Sequence, residues 1–379
     1  MKVILSIDGF RYPLTGIGRY MWELVQSFGT MPQIESLSLL KGTSLLAELP
    51  YPGTEPGLAA RLVRNALMRA ATFGPSRDAY AFLQTRILNE HPQSIVHGPN
   101  YYLPKFTGMS LVTIHDLSVF KHPEMHPPAR VKRLVSEINK SMRRASAVIT
   151  DSAYTRQEVI DFFAWDPKRI HAVPLAASAE FHPRDARSTA AALARHGLEW
   201  GRFCLFAGTI EPRKNIEALL DAYGSLPARL RKEYPLVVVG YRGWRSDNLH
   251  ARLADGAARG DVIYLGYVDA ETLPAILAGA RLFVYPSHYE GFGLPVLEAM
   301  ASGTPVVCSN ATSLPEVAGD AAAQCEPDDV AHLASLMLQG LEDESWQAEM
   351  RPKALARAKC FSWQRTAAGT AAVYQLQLT

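Results

Sequence analysis

The stretch "LFVYPSHYEGFGLPVLEAMASGTPVVCS", residues 282–309, contains two short apolar runs separated by a helical pattern. The runs "LFVYPS" and "TPVVCS" have the composition of strands that are buried on both faces, whereas "VLEAMAS" has the composition of a helix. Since neighbouring strands joined through a helix run parallel, this stretch predicts part of a parallel α/β sheet.

The same alternation extends along most of the chain. The first half has the runs "KVILSID", "SIVHG", "LVTIHD", "AVIT" and "IHAVP", and the second half adds "FCLFAGT", "LVVVG" and "VIYLG". Between them, residues 174–202 lose the strand pattern and become rich in proline, histidine and charge, and 379 residues are too many for one small core. We therefore expect two α/β domains, each a Rossmann-like, doubly wound parallel sheet, that face each other across a cleft. We expect an N-terminal domain over residues 1–183, a C-terminal domain over 184–360, and a final helix in 361–379 that crosses back to the first domain.

Composition excludes several classes of protein. The formal net charge is only +2, so the total charge indicates neither a nucleic-acid-binding protein nor an acidic tail. The four cysteines lie far apart in sequence, which indicates neither a zinc site nor a disulfide framework. The N-terminal "MKVILSIDGF" resembles a first strand more than a signal peptide, so we expect a cytoplasmic protein.

In open parallel sheets, ligands bind beyond the carboxyl ends of the strands, so the loops there are the candidate sites. After "LFVYPS", Gly291 and Gly293 permit close backbone approach and open a helix whose N-terminal amides favour an anion such as phosphate. Glu298 lies about one turn inside that helix and suits a ribose diol, while Glu290 faces the same space and suits the hydroxyls of a second sugar. The alternative is a capping glutamate and a surface glutamate.

A second phosphate-binding element is predicted in "FAGTIEPRKNIEALLDAY", residues 206–223. The strand ends at Gly208, and Arg213 and Lys214 stand at the start of the next helix, where cations oppose the helix dipole. A bound diphosphate would explain them, because their charges would neutralise it. The alternative is an exposed basic turn.

Two further loops follow strands in the first domain. In "YPLTGIGRYMWELV", residues 12–25, Gly16 and Gly18 precede a helix, but Met21 takes the third glycine position of a dinucleotide fingerprint. This favours a loop that closes over phosphate or sugar from the other side. His115 and Asp116 end the strand "LVTIHD", where His115 would orient a substrate hydroxyl or transfer a proton, unless it is a structural histidine.

These motifs together resemble those of retaining glycosyltransferase family 4, which has the GT-B fold of two Rossmann-like domains. The resemblance covers nearly the whole chain, through "TGIGRY" at 15–20, "HGPNYYLP" at 97–104, "IHDL" at 114–117, "TDSAYTR" at 150–156, "GTIEPRKN" at 208–215, "LGYV" at 265–268 and "EGFGLPVLE" at 290–298. The last motif matches that family's pair of glutamates separated by seven residues.

The resemblance implies a role for each matching residue. Glu290 would hold the donor sugar, Glu298 the ribose, and Arg213 and Lys214 the diphosphate, with His115 beside the reacting sugar. His115, Arg213, Lys214 and Glu290 are the predicted catalytic residues. The predicted donor-binding residues are Gly16, Gly18, Asp116, Gly208, Gly266, Tyr267, Val268, Gly291, Phe292, Gly293, Leu294 and Glu298, of which residues 266–268 would contact the base through their backbone.

The resemblance also implies the reaction. No D-x-D motif follows a strand, so we expect metal-independent transfer without a cofactor, in which cations and helix dipoles stabilise the leaving diphosphate. The sequence is most similar to bacterial O-antigen and surface-polysaccharide transferases, which implies a GDP-sugar donor carrying mannose or rhamnose and a polyprenyl-diphosphate-linked glycan acceptor. A UDP-sugar donor stays open, as do a nucleotide-sugar epimerase and, from another class, a degenerate non-catalytic nucleotide-sugar or glycan-binding module.

Local charge suggests membrane contact. Residues 129–145 carry six basic residues against one glutamate, with apolar residues at helical spacing, and residues 61–86 carry five arginines against one aspartate. We expect both segments to hold the protein against the inner face of the cytoplasmic membrane, although each alone is nearly as well explained as a solvated helix face. Neither has the interleaved aromatic residues that would indicate nucleic-acid binding.

Overall fold

The structure is a computed structural model that describes residues 1–51 and 75–378. The described residues form two sheets with helices on both faces, as the strand and helix patterns predict. This confirms the predicted fold class of two parallel-sheet α/β domains.

The first sheet has seven strands in the order β3-β2-β1-β4-β5-β6-β7. Its strands are β1 (Lys2–Ser6), β2 (Ser36–Lys41), β3 (Ser44–Leu46), β4 (Ile95–Gly98), β5 (Ser110–Ile114), β6 (Ala147–Thr150) and β7 (Ile170–Ala172). Neighbours are parallel except for β3, which pairs antiparallel with β2. The sequence patterns missed β2 and β3, because both strands are only partly buried and lack an unbroken apolar run.

Helices cover both faces of this sheet. They are α1 (Gly16–Phe28), α2 (Pro75–Asn89), α3 (Ser118–Lys121), α4 (Pro128–Arg144) and α5 (Ala153–Phe163). Successive strand residues alternate between two cores: Val3 packs in the same core as Leu24 of α1, whereas Ile4 packs with Ile138 of α4 and Val159 of α5. Burial on both faces explains why these strands appear in the sequence as unbroken apolar runs.

The second sheet has six strands, all parallel, in the order β10-β9-β8-β11-β12-β13. The strands are β8 (Cys204–Ala207), β9 (Leu236–Val239), β10 (Val262–Gly266), β11 (Leu282–Tyr285), β12 (Val306–Ser309) and β13 (Ala323–Cys325). The helices are α6 (Ala186–Ala194), α7 (Ile216–Ser225), α8 (Ala228–Glu233), α9 (Asp247–Arg259), α10 (Leu273–Gly279), α11 (Leu294–Ala301), α12 (Leu314–Ala318), α13 (Val330–Glu342), α14 (Glu344–Ala358) and α15 (Trp363–Leu376). The three-residue edge strand β13 was not predicted.

The last helix, α15, packs against α1 of the first domain. Tyr374 is buried there, with its hydroxyl 2.7 Å from His97 Nδ1, and Thr366 Oγ1 donates to the carbonyl of Pro174 at 2.7 Å. The predicted hinge near Pro183 falls in the connection between β7 and α6. The boundaries at residues 183 and 360 themselves stay a prediction.

The loops that follow the strands of the two sheets contact each other directly. The hydroxyls of Ser152 and Thr155 donate to the carbonyl of Gly291 at 2.7 and 3.1 Å, and Leu117 N donates to the hydroxyl of Tyr289 at 3.1 Å. The carboxyl ends of both sheets therefore border one closed cleft, which is where ligands of such sheets bind.

Candidate active site

The loops after two adjacent strands, β8 and β11, hold a buried ionic cluster around Glu290. Its Oε1 atom accepts hydrogen bonds from Lys214 Nζ and Ser287 Oγ, at 2.6 and 2.7 Å, and its Oε2 atom accepts one from Arg213 Nη1 at 3.1 Å. Burial raises the pKa of this carboxyl, but Lys214 and Arg213 lower it more, and the net pKa is about 2. The cluster thus joins an ionised Glu290 to both predicted diphosphate-binding cations.

The local backbone explains this arrangement. Arg213 and Lys214 lie in a single turn of 3₁₀ helix, which ends at Asn215 in the left-handed conformation with a φ of 53°. The Asn215 side chain donates to the carbonyl of Pro286 at 3.2 Å, and His288 N donates to the carbonyl of Arg213 at 2.9 Å. The loop after β8 is therefore tied to the loop after β11, which fixes the distance between cations and carboxylate.

Arg213 faces carboxylates from both domains. Its Nε and Nη2 atoms donate to Glu211 Oε1 at 3.2 and 2.9 Å, and Glu211 is only 3% exposed. In the first domain, burial raises the pKa of Asp116, but Arg213 and the hydrogen bonds from Ser118 lower it more, so its net pKa is below the ordinary value. The guanidinium therefore binds Glu290 and Glu211 and acts electrostatically on Asp116, which the sequence predicted as a donor-binding residue.

His115 is buried and both of its ring nitrogens are occupied. Nδ1 lies 2.7 Å from Asp151 Oδ2, and Nε2 lies 2.9 Å from the carbonyl oxygen of Pro99, which can only accept a hydrogen bond. Burial lowers the pKa of His115, but Asp151 raises it more, so the net pKa is above the ordinary value. The role of His115 in orienting a substrate hydroxyl or transferring a proton stays a prediction, and it requires one of these two hydrogen bonds to break.

The N-terminal ends of α1 and α11 meet across the cleft. Gly293 precedes α11 with a φ of 112°, a conformation that favours glycine, and a Cβ atom on Gly16 would lie 3.7 Å from Leu294 Cδ1. At the start of α1, Gly18 N donates to the hydroxyl of Thr15 at 3.4 Å. Two adjacent helix N-termini suit an anion such as a diphosphate, because their dipoles are positive at this end.

Glu298 lies in α11, one turn from its start, and is partly buried. Burial raises the pKa of its carboxyl, Arg19 of α1 opposes the rise, and the net pKa is about 8. The carboxyl is therefore largely protonated at neutral pH in this arrangement. Arg19 comes from the first domain, so Glu298, the predicted ribose-binding residue of the second domain, lies near the boundary between the two domains.

The other predicted donor-binding residues lie at the carboxyl ends of β8, β10 and β11. Gly208 follows β8, and Gly266 ends β10 with a φ of 66°. Tyr267 is exposed and stacks on Tyr241 with ring centroids 4.4 Å apart, whereas Val268 is buried. In the glycine-rich loop after β11, Phe292 is buried, and the centroid of its ring lies 5.8 Å from that of Phe361.

Sequence reasoning missed several polar residues of the cleft, namely Asp151, Glu211, Ser287 and Tyr289. Asp151 directly follows β6, so the rule that singled out His115 after β5 also applied to it. Glu211 and Tyr289 stand within two residues of Arg213 and Glu290, but nothing in the local sequence indicates that Glu211 binds Arg213 or that Tyr289 reaches the first domain.

The structure describes the first of the two predicted membrane segments fully and the second only in part. In α4 the apolar side packs on the first domain's core, where Ile138 and Met142 are buried and Leu134 is partly buried, so this side is not free for lipid. Basic side chains remain exposed at Lys132, Arg133 and Arg143. Most of the segment 61–86 lies outside the described residues. Among the described helices, none is both long and apolar enough to cross a bilayer.

Known proteins resemble this chain in sequence. Residues 195–357 match the family described as "Glycosyl transferases group 1". The chain is 42% identical to O-antigen chain mannosyltransferase B of Escherichia coli over 386 residues, which cover 99% of this chain and 100% of the relative. It is 38% identical to serotype-specific mannosyltransferase WbdA of Escherichia coli over 59% of this chain and 28% of that longer relative.

Solved structures show the same fold at low sequence identity. Sucrose-phosphate synthase from Thermosynechococcus elongatus superposes with a TM-score of 0.71 at 21% identity, covering 100% of this chain and 99% of that chain. WaaG, a glycosyltransferase involved in lipopolysaccharide biosynthesis, superposes with a TM-score of 0.69 at 16% identity, covering 98% of both chains. Both neighbours have the two-domain GT-B architecture.

Proposed function

The chain belongs to the glycosyl transferases group 1 family, and from this we propose that it transfers mannose from a GDP-sugar to a growing O-antigen chain. The observation that carries the proposal is the 42% identity over essentially the full length to an O-antigen chain mannosyltransferase. The cluster of Arg213, Lys214 and Glu290 supports it chemically, because two fixed cations beside a carboxylate suit a diphosphate joined to a sugar. D-Rhamnose is the alternative hexose of the same donor class.

We infer that the diphosphate of the donor replaces Glu290 as the partner of Arg213 and Lys214. In the structure, the two carboxylates of Glu290 and Glu211 balance the charges of Arg213 and Lys214. A nucleoside diphosphate brings negative charge to the same two cations, so Glu290 becomes free to accept hydrogen bonds from the sugar hydroxyls. Glu298 then accepts from the ribose, next to the start of α11.

We propose that transfer retains the anomeric configuration and requires no metal ion, as the resemblance to family 4 implies. The bond from the anomeric carbon to the diphosphate oxygen breaks, the acceptor oxygen bonds to the same face of that carbon, and the acceptor's proton passes to the departing diphosphate. Arg213 and Lys214 are already in place when charge develops on the leaving oxygen, so they stabilise the transition state without reorganisation.

We also propose that the acceptor is linked to a polyprenyl diphosphate, and that the enzyme acts at the cytoplasmic face of the membrane. The exposed cations Lys132, Arg133 and Arg143 on α4 support this, because they carry positive charge to the surface of the first domain. This attachment is electrostatic, since the apolar side of α4 is already packed on the core of the first domain.

The first experiment is a thermal-shift panel of the purified protein with GDP, UDP, ADP, CMP and dTDP, with and without magnesium and with EDTA. The preferred nucleotide at about 100 times its Kd stabilises the protein by about 2.7 kcal/mol. We expect a selective shift with GDP that neither magnesium nor EDTA changes, followed by transfer from GDP-mannose. A selective UDP shift would replace the donor, a shift that EDTA abolishes would contradict metal independence, and no shift with any nucleotide would overturn the proposal.

A further inference from the structure

A small cavity lies between the domains beside Arg213. Its volume is about 30 Å³, room for one or two hydroxyl-sized groups. Polar and aromatic side chains from both domains line it, notably Asp116, His126, Arg130, Glu211, Arg213 and Trp244. Glu290 and Glu298, the residues proposed above for the donor, are not among the lining residues. Arg213 borders both places, because it binds Glu290 and Glu211 at once.

On the side of the second domain, Trp244 forms the wall of the cavity, and two glycines fix the backbone of the loop that carries it. Gly240 follows β9 with a φ of 149°, and a Cβ atom on Gly243 would lie 2.4 Å from the carbonyl oxygen of Ile210. Gly243 N donates to that same carbonyl at 3.0 Å. Since only glycine fits both positions, the backbone places Trp244 at the domain interface, where its Nε1 atom donates to the carbonyl of Met125 at 2.8 Å.

The wall from the first domain presents an unpaired hydrogen-bond acceptor. Ser118 Oγ donates its single proton to Asp116 Oδ1 at 2.7 Å, so its contact of 3.0 Å with His126 Nε2 must be a hydrogen bond donated by the imidazole. Burial lowers the pKa of His126, so the ring is neutral and its Nδ1 atom is an acceptor. Among the described residues, Nδ1 has no hydrogen-bond partner.

Glu211 adds a second unpaired acceptor. Its Oε1 atom accepts from Arg213, whereas its buried Oε2 atom has no hydrogen-bond partner within the described part of the chain. A buried acceptor without a partner costs free energy, so the protein gains when a donor group enters. Two such acceptors beside an aromatic ring are complementary to the hydroxyl groups of a sugar.

We propose that this cavity is the acceptor subsite: hydroxyls of the terminal sugar of the acceptor glycan enter between Glu211 and His126, and Trp244 closes over them from the second domain. This rests on the proposed transfer reaction and names the residues that select its second substrate. The position fits the chemistry, because the acceptor oxygen must approach the anomeric carbon beside the diphosphate held by Arg213. Because a whole hexose exceeds about 30 Å³, Trp244 moves away from Met125 when the sugar ring enters.

The test is a titration of the full-length protein with an α-linked mannose trisaccharide in the presence of saturating GDP, measured by calorimetry. The variants are His126→Gln and Trp244→Ala; the hydrogen bonds of these two side chains go to Ser118 and to the carbonyl of Met125, not to the ionic cluster of Glu290. Trp200→Ala, another partly exposed tryptophan of the second domain, is the matched control. Trp244→Phe keeps an aromatic wall and loses only the hydrogen bond to Met125.

We expect both variants to raise the Kd for the trisaccharide at least about tenfold, while the Kd for GDP stays within about twofold of the parent value. Trp244→Phe should recover most of the affinity, and Trp200→Ala should change neither constant. The inference is overturned if the parent protein binds GDP but not the trisaccharide, if the variants bind the trisaccharide normally, or if they weaken GDP equally. Failure of the transfer reaction is distinguished from these outcomes, because it shows as a parent protein without GDP binding or mannose transfer.

Discussion

At the residue scale, the contacts of Glu290 show how two loops that are distant in sequence form one site. Lys214 and Glu290 are 76 residues apart, yet each lies in the loop that follows one of two adjacent strands, and their side chains meet at 2.6 Å. The pair is buried, and removal of Glu290 takes away the carboxylate that is bound to Lys214. Substitutions here therefore report on both charge stabilisation and local order.

The first prediction concerns Arg213→Ala. Because this change removes a fixed cation from the leaving group, we expect turnover at saturating donor to fall about a hundredfold or more, which corresponds to a few kcal/mol of transition-state stabilisation. Initial rates of mannose transfer measure it, with circular dichroism to verify folding. Arg202→Ala, which removes an exposed arginine paired with Glu233, is the control. Near-normal turnover of Arg213→Ala would contradict the assigned role.

The second prediction concerns the pH dependence of Glu298. Its folded pKa is raised by burial from 4.5 to about 8, so the folded state binds the proton more tightly than the unfolded state. The residue therefore costs stability progressively as the pH rises from its unfolded pKa through about 8. Glu298→Gln removes this cost, and it should match the parent protein near about pH 5 and exceed its Tm near about pH 9.

Thermal melts of the nucleotide-free protein across this pH range measure the difference between Glu298→Gln and the parent. Glu349→Gln, at an exposed position on α14, is the control and should show no pH-dependent gain. A constant Tm difference between Glu298→Gln and the parent at every pH would show that Glu298 does not titrate as proposed.

At the element scale, α4 shows what a helical sequence pattern can predict and what it cannot. The periodicity correctly predicts an amphipathic helix, which the structure places at Pro128–Arg144. It does not decide what covers the apolar side, and the core of the first domain takes that place through Ile138 and Met142. The membrane contact that we propose for this helix therefore involves only its exposed basic side chains.

The third prediction tests that contact. The triple variant Lys132→Glu, Arg133→Glu, Arg143→Glu should lose about a hundredfold in affinity for vesicles rich in phosphatidylglycerol, because each basic residue near such a surface contributes about 1 kcal/mol. Cosedimentation measures it. Reversal of three exposed cations on the second domain, Arg187, Arg195 and Lys232, changes the net charge equally and should have little effect. Equal losses in both variants would show only a nonspecific charge effect.

Strand prediction failed where strands are short or only partly buried. The runs that became β1, β4, β5 and β6 are apolar at nearly every position, because helices cover both sides of them. The edge strands β3 and β13 have three residues each and are partly exposed. Such strands have no strong pattern of their own and form because a neighbouring strand offers free backbone groups.

At the scale of the whole molecule, the site exists only when the domains meet. Gly291 is at the point of closest approach, since a Cβ atom there would lie 1.8 Å from the carbonyl oxygen of His115 in the other domain. Its own carbonyl accepts hydrogen bonds from Ser152 and Thr155. A side chain at this position must push the domains apart or distort the loop that carries Glu290.

The fourth prediction is that Gly291→Ala separates the domains while each keeps its own core. We expect a larger radius of gyration by small-angle scattering and a fall in transfer rate of about a hundredfold, since displacement of reacting groups by about 1 Å has effects of that size. Gly224→Ala, where a Cβ atom meets nothing within 4 Å, is the matched control. An unchanged radius and rate in Gly291→Ala would show that the loop yields locally.

The sequence by itself determined two parallel sheets and the placement of Arg213, Lys214, Glu290 and Asp116 at strand ends, because buried strands must be apolar on both faces and ligands bind beyond their carboxyl ends. The tertiary structure alone decided that Glu290 pairs with both cations. It also decided that Asp151 and the carbonyl of Pro99 contact the two ring nitrogens of His115, and that Trp244 meets His126 across the cleft. The physical reason is distance along the chain. These partners come together through strand order and domain closure, and no local pattern of residues encodes either.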